Sequence, residues 1–260
     1  MELKVLGCHG GETPRHRTSS FLLGDRLAID AGAVTSALSL REQQRIEAVL
    51  ISHAHLDHVR DLATLADNRC QQGGPPIEVV GTSRTLRTLQ EHFFNDALWP
   101  DFSRIRCCTE GPIIRYRTIE MEHPIDVLGH RVTAVPVSHT IESAALLVER
   151  SGVTLAYSGD TGPTDRLWEV LSEVENLAGL IMEVSFPDEM AELARVSGHH
   201  TPATLEADLR KLRGHEALPV FLFHIKPAFQ STVEREIARL REERNLVLLQ
   251  LEDVFSLSPR

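Results

Sequence analysis

Apolar residues in this chain gather into short runs of strand length, set apart by turns rich in glycine, aspartate and proline. The runs "MELKVLGC", "SSFLLGDRLAIDAG", "EAVLISH", "IEVVGT", "RVTAVPVSH", "SAALLVERSGVTLAYSGD", "LAGLIMEVSF", "LPVFLFHIK" and "LVLLQLEDVF" predict β-strands. Between them the apolar spacing turns helical. In "PTDRLWEVLSEVENL" the residues Leu167, Val170, Leu171, Val174 and Leu177 share one stripe, as do Phe229, Val233, Ile237 and Leu240 further on. "TPATLEADLRKLRG" predicts a helix capped by Thr201, with Pro202 at its first position and Gly214 at its end. Hairpins open each half and βα units follow, without a Pro- or Ser-rich linker. This order predicts one domain over residues 1–260, sheets covered by helices, and leaves room for a distant duplication.

One strand-to-helix junction carries an unusual load. In "LISHAHLDHVRDLATL" the apolar run ends at Ile51, and the helical pattern after His58 sends Leu62, Leu65 and Ala66 inward. His53, His55, Asp57 and His58 therefore occupy the turn and the first helical residues, where side chains can converge from several directions. Imidazoles with a carboxylate suit zinc, iron or manganese better than calcium or magnesium. Three further strands end on residues of the same chemical types: His139 after "VTAVPVS", Asp160 after "VTLAYSG" and His224 after "PVFLF". A lone residue of this kind is ordinarily a cap or loop residue. Four strand ends supplying only metal-ligand types predict one rim that collects all seven side chains.

Composition narrows the function. At 260 residues and 42% apolar content the chain can bury a full core, and its formal charge of -10 speaks against broad contact with extended nucleic acid. No apolar run reaches the roughly 18 residues needed to cross a bilayer, and the start "MELKVLGCHGG" has no signal-like pattern, so the expected location is the cytoplasm. Cys8, Cys70, Cys107 and Cys108 show no paired spacing and are expected to be reduced, buried thiols. Oligomeric state is open, a homodimer being one option.

The string H-x-H-x-D-H followed by a later His, an Asp and a final His resembles the metallo-β-lactamase fold superfamily. The resemblance implies a four-layer αββα sandwich of two mixed sheets flanked by helices. It assigns one metal to His53, His55 and His139 and a second to Asp57, His58 and His224, with Asp160 touching both. Two divalent ions are implied, zinc before manganese or iron. The flavodiiron branch differs by a Glu within the motif and a flavodoxin-like partner, so hydrolysis is the expected chemistry. The nucleophile expected between the metals is a bridging hydroxide.

Within the superfamily, "NDALWPDF" resembles the N-x-x-x-W-P-D-F element of class II 3′,5′-cyclic-nucleotide phosphodiesterases, and "SHAHLDH", "GHHTP" and "FHIKP" resemble other pieces of that family. The family pattern departs at Arg60 and Asp61, where small and apolar residues are usual, and at His200, where it has Leu. On residue type alone this stretch reads as a helix end, with Asn95 and Asp96 capping or turning before Pro100; transferred by position, the resemblance places Asn95 and Trp99 at a substrate wall, Trp99 either covering a base or wedging the loop. It offers His199 as a proton donor or phosphate contact and His200 as a substrate neighbour. Glu183 is either a base contact or a partner orienting a ligand histidine. Lys226 contacts phosphate or pairs with a carboxylate at the rim. His9, His16, His92, His123, His130 and His215 receive no role. The expected activity is hydrolysis of cyclic AMP or cyclic GMP to the 5′-monophosphate, with Asp57 and Asp160 holding the metals. The rivals are a transfer-RNA 3′-processing nuclease and a catalytically silent nucleotide-binding metalloprotein.

Overall fold

The computed structural model describes residues 1–106, 111–241 and 244–259. The first half begins with strands β1 (Glu2–Gly7), β2 (Ser20–Leu23) and β3 (Leu27–Ile29), continues through helices α1 (Val34–Ala37) and α2 (Leu40–Gln43), and reaches strand β4 (Ala48–Leu50). Helices α3 (Leu56–Val59) and α4 (Asp61–Gln72), strand β5 (Ile77–Gly81), helix α5 (Ser83–His92) and strand β6 (Ile114–Thr118) complete it. The second half repeats the plan. Strands β7 (Ile125–Val127), β8 (His130–Pro136), β9 (Ala144–Arg150) and β10 (Val153–Tyr157) precede α6 (Arg166–Ser172), β11 (Leu177–Glu183), α7 (Ala191–Ser197) and α8 (Pro202–Leu209). Strand β12 (Val220–Phe223), α9 (Gln230–Leu240), β13 (Leu246–Leu248) and β14 (Val254–Ser256) follow.

These strands form two seven-stranded sheets, ordered β14-β1-β2-β3-β4-β5-β6 and β13-β12-β11-β10-β9-β8-β7. Each starts antiparallel and becomes parallel, at β3–β4 in one and β10–β11 in the other. The C-terminal strand β14 returns to pair with β1. Period-two alternation explains the layering. In β2, Phe21 and Leu23 face the space between the sheets, while Leu22 faces the helices of the first half. In β10, Leu155 and Tyr157 join the central core and Ala156 joins the layer with Leu167, Leu205 and Val233. Three apolar layers therefore separate four layers of structure, giving the αββα sandwich. Both β6 and β7 are edge strands, polar or very short, which is why no apolar run marked them in the sequence.

Several local expectations shift. Leu177 is the first residue of β11 and not the end of the preceding helical stripe, because α6 stops at Ser172. Helix α8 ends at Leu209, short of Gly214, although its start is as read: Thr201 closes a capping box and Pro202 opens the helix. Cys8 is buried, Cys70 is only half-buried, and Cys107 and Cys108 lie outside the described residues. Among the described residues no helix is long and apolar enough to cross a membrane.

The two sheets meet around aromatic rings: Phe21 lies 5.4 Å from Tyr157 and 5.6 Å from Phe223, all fully buried. Phe21→Ala is expected to cost about 3–5 kcal/mol through lost burial and a cavity. Urea unfolding would check this; a loss below about 1 kcal/mol would contradict a tightly packed inter-sheet layer.

Candidate metal centre

In the second sheet β10 and β12 run parallel through β11, and β8 runs the same way as β10 across the antiparallel β9, so all three end at one edge. His53 follows β4, His139 follows β8, Asp160 follows β10 and His224 follows β12. Asp57 and His58 lie in α3, whose first residue comes directly after His55. Among the described residues three groups of ligand-type atoms lie within 4.8 Å of one another: His53, His55, His139 and Asp160; Asp57, His58, Asp160 and His224; and Glu183, His199 and His224. Asp160 belongs to the first two. Its Oδ2 lies 3.2 Å from His224 Nε2 and 3.8 Å from His53 Nε2, and its Oδ1 lies 3.2 Å from His58 Nε2.

Within the first group, His55 Nδ1 lies 3.1 Å from His53 Nε2 and 3.0 Å from His139 Nε2. Two nitrogens bound to one tetrahedral zinc would be roughly 3.3 Å apart, so this spacing suits a cation at their centre. Two buried polar atoms, His58 Nε2 and Asp160 Oδ1, find no hydrogen-bond partner of good geometry. Unsatisfied buried groups of this kind are costly unless something else satisfies them. Spacing, donor chemistry and these two atoms together fit divalent metal ions.

The atoms behind the cluster fix its tautomers. His58 donates from Nδ1 to Asp30 Oδ2 at 2.7 Å, and His139 donates from Nδ1 to the Gly198 carbonyl at 2.8 Å. His53 Nδ1 lies 3.0 Å from Ser52 Oγ, which itself donates to Asp30. His224 Nδ1 lies 2.9 Å from Ser185 Oγ, which donates to Glu183 Oε2 at 2.8 Å. These four imidazoles thus turn Nε2 toward the cluster, while His55 turns Nδ1. Asp30 is the hub, receiving Ser52 N, Ser52 Oγ, His58 Nδ1 and the Tyr157 hydroxyl. Sequence reading assigned it no role, although it too ends an apolar strand. That shared position was the available signal.

Burial pushes the imidazoles of His53, His55, His139 and His224 below their usual range, keeping them in the neutral form that can bind a metal. His58 moves the other way: burial opposes its charge, but Asp160 and Asp30 outweigh it. Both carboxylates favour positive charge there, whether a proton or a cation carries it. Asp57 and Asp160 are held well below the ordinary carboxylate range: burial works against this, and the surrounding histidines prevail.

The remaining predicted residues divide. His199 joins the rim: its ring stacks on His224 at 5.2 Å and meets His139 edge-on at 5.0 Å. Glu183 is fully buried, with its oxygens engaged by Ser185 Oγ and the His200 amide, so it stands behind His224 and not at a substrate wall. Burial pushes its carboxyl up to about 7, with His200 offsetting part of that. His200 is likewise fully buried, facing Thr204 and Asp208, and is no substrate neighbour in this structure. Asn95 accepts from the amides of Ala97 and Leu98 and donates to the Glu91 carbonyl, which makes it the organiser of its own turn. Trp99 anchors its indole N–H on the Ala63 carbonyl of α4 yet stays 37% exposed. Lys226 is half-buried beside His224; burial pushes the imidazoles of His199 and His224 down, Asp160 opposes this, and the Lys226 charge adds to the lowering. Arg60, one of the departures, holds Glu12 in a two-pronged ion pair and donates to the Gly32 carbonyl.

Against this geometry, residues 26–225 match the beta-lactamase superfamily domain, and the chain belongs to that family. Among its relatives is the "Probable 3′,5′-cyclic-nucleotide phosphodiesterase" of Yersinia pestis, 30% identical over 88% of this chain and 79% of that protein. The Ribonuclease Z of Methanosarcina acetivorans is 25% identical over 90% of each. In solved structures, unliganded yeast PDE1 shares the fold with a TM-score of 0.81 at 20% identity, covering 97% of this chain and 98% of its own.

Asp30→Asn should lower metal affinity about ten- to a hundred-fold, since the carboxylate that orients His58 and, through Ser52, His53 is lost. Competition with a chromophoric chelator measures this; unchanged affinity would show that the imidazoles hold their orientation without Asp30.

Proposed function

We propose that this protein is a two-metal phosphodiesterase that opens 3′,5′-cyclic nucleotides to nucleoside 5′-monophosphates. The observation that carries the reading is the pair of ligand groups sharing Asp160, in a chain 30% identical to a relative named for this activity. Two divalent cations, zinc by our reading, would supply a nucleophile from water near neutral pH and offset charge on the phosphoryl oxygens. His53, His55 and His139 would hold one ion, Asp57, His58 and His224 the other, and Asp160 both.

The protein's own part is positioning, exclusion of water and proton handling. His53, His58 and His224 are fully buried, whereas Leu56, between His55 and Asp57, is 62% exposed. The cluster therefore has a sealed floor, and an apolar side chain stands beside its open mouth. His199 points Nδ1 toward Ser185 Oγ at 3.3 Å and Glu183 Oε1 at 3.5 Å. The opposite ring nitrogen, Nε2, is the atom we assign to protonate the departing ribose 3′ oxygen; burial pushes the ring toward its neutral form, and the carboxylates of Asp160 and Asp57 work against that by favouring the proton. Lys226 adds a cation beside His224 for a phosphate oxygen. The exposed face of Trp99 is the surface we assign to the base, its anchored indole limiting the entropy lost on stacking. A chain of net charge -10 thus takes an anionic substrate at a local positive centre.

Incubation of zinc- or manganese-loaded protein with cyclic AMP and cyclic GMP should yield 5′-monophosphate by chromatography. Cleavage of a 3′-extended transfer RNA with both cyclic nucleotides left intact would overturn this reading in favour of the nuclease. Retention of intact nucleotide without turnover would favour a silent binding protein. His55→Ala and Asp160→Ala should each lower kcat by at least about a thousand-fold while circular dichroism stays similar, since the metals would lose a ligand each needs. A fully active Asp160→Ala protein would contradict the shared-ligand assignment.

A further inference from the structure

Three consecutive residues between α7 and α8 serve three different parts of the candidate centre. Gly198 ends α7 in the left-handed region at φ +68° and offers its carbonyl to His139 Nδ1. A Cβ at this position would lie 3.0 Å from His139 Nδ1, so a side chain there would both crowd the imidazole and strain the left-handed backbone, which favours glycine. His199 lays its ring on His224. The His200 amide donates to Glu183 Oε1 at 2.8 Å, and its carbonyl receives the Ser185 amide at 3.0 Å, so one peptide segment fixes both groups that stand behind His224.

The side chain of His200 ties this segment to the rest of the fold. It is fully buried, with Nδ1 3.0 Å from Thr204 Oγ1 and Nε2 3.7 Å from Asp208 Oδ2. Thr204 and Asp208 lie four residues apart on α8, hence on one face. Asp208, also buried, receives the Thr164 amide and the Trp168 indole N–H, each at 2.9 Å, and pairs with Lys211 Nζ at 2.7 Å. Thr164 lies in the loop that follows Asp160. A single turn of α8 therefore anchors the segment that orients His139 and His224 and the loop that carries Asp160.

We infer that His200 is a positioning residue for the metal centre: through its hydrogen bond to Thr204 and its burial beside Asp208 it fixes the Gly198–His200 backbone that sets the ring planes of His139 and His224. The inference rests on the two-metal reading. A leucine here, the residue the resemblance leads one to expect, would fill the space yet lack the hydrogen bond to Thr204. The Gly198 carbonyl and the His200 amide would then be held by chain connectivity and packing alone. Asp208 would keep its other partners, so the fold has a way to survive the change.

The test is the cobalt-substituted protein, whose visible d–d bands report ligand geometry without any substrate. His200→Leu should shift or weaken those bands, lower cobalt affinity roughly ten-fold and reduce kcat more than KM, while circular dichroism is retained. His200→Gln, which can present an amide N–H toward Thr204 Oγ1, should restore the spectrum in part. Asp208→Asn, which keeps its acceptor for Thr164 and Trp168, should give a smaller shift of the same kind and serves if the leucine variant does not fold. Unchanged bands and affinity in His200→Leu, or in Asp208→Asn where the leucine variant is unfolded, would overturn the inference. Because the spectrum needs no nucleotide, failure of the phosphodiesterase reading leaves this result legible, whereas failure to bind cobalt at all would instead sink the metal reading.

Discussion

The buried carboxylate of Asp160 is the constraint around which the rest is arranged. It is 2% exposed, and four imidazoles, those of His53, His58, His139 and His224, come within 4.0 Å of its oxygens. An isolated charge at that depth would cost several kcal/mol to desolvate. Positive charge must therefore meet it there, and the groups in reach are histidines and whatever cations they hold. Two groups of residues suited to binding metal ions share this carboxylate, so its position fixes the separation between them.

Holding such a cluster rigid is a task for backbone and second partners, because imidazole rings on loop residues would otherwise rotate. Each ring that turns Nε2 inward has an acceptor for its other nitrogen: Asp30, Ser52, Ser185 or the Gly198 carbonyl. Two of the residues involved adopt positive φ without being glycine, Asp30 at 54° and His224 at 71°. Conformations of that kind cost of order 1 kcal/mol or more and persist only where surrounding contacts over-determine them. For His224 the contacts include its amide bond to the Cys8 carbonyl, which draws the amino-terminal glycine turn against the centre. Arg60 and Glu12 reinforce that draw from the other side. The two residues that depart from the family pattern at this point, Arg60 and Asp61, both have specific partners, Glu12 and Thr35. They act on the loops around the site and not on the ligands.

The repeated plan of the two halves explains why so distant a set of residues can meet. Each sheet begins with hairpins and continues parallel, so the strands preceding His53, His139, Asp160 and His224 all end on one edge. Stacking the two sheets face to face brings these edges together. The inter-sheet aromatic layer of Phe21, Tyr157 and Phe223 packs directly beneath the cluster, and the Tyr157 hydroxyl reaches Asp30 through it. Stability and site geometry are therefore linked through the same residues.

Spacing along the chain was enough to mark His53, His55, Asp57 and His58, because a strand-to-helix turn brings neighbours in sequence together in space. His139, Asp160 and His224 could be picked out by their shared place at the ends of apolar strands, and the strands themselves by alternation. The partners were not legible. Ser52, Ser185 and Tyr157 look like ordinary polar or core residues in sequence, and nothing local distinguishes Glu183 and His200, buried behind the ligands, from residues at a substrate wall. For Asn95 the sequence offered both a turn residue and a wall residue, and its side chain bonds within its own turn. The sequence by itself determined which chemical groups are present and which strand ends present them, since both follow from short-range periodicity. Only the packing of one sheet on the other decided which groups face the centre, which stand behind it, and which atoms each imidazole turns inward, because those depend on contacts between residues scores of positions apart.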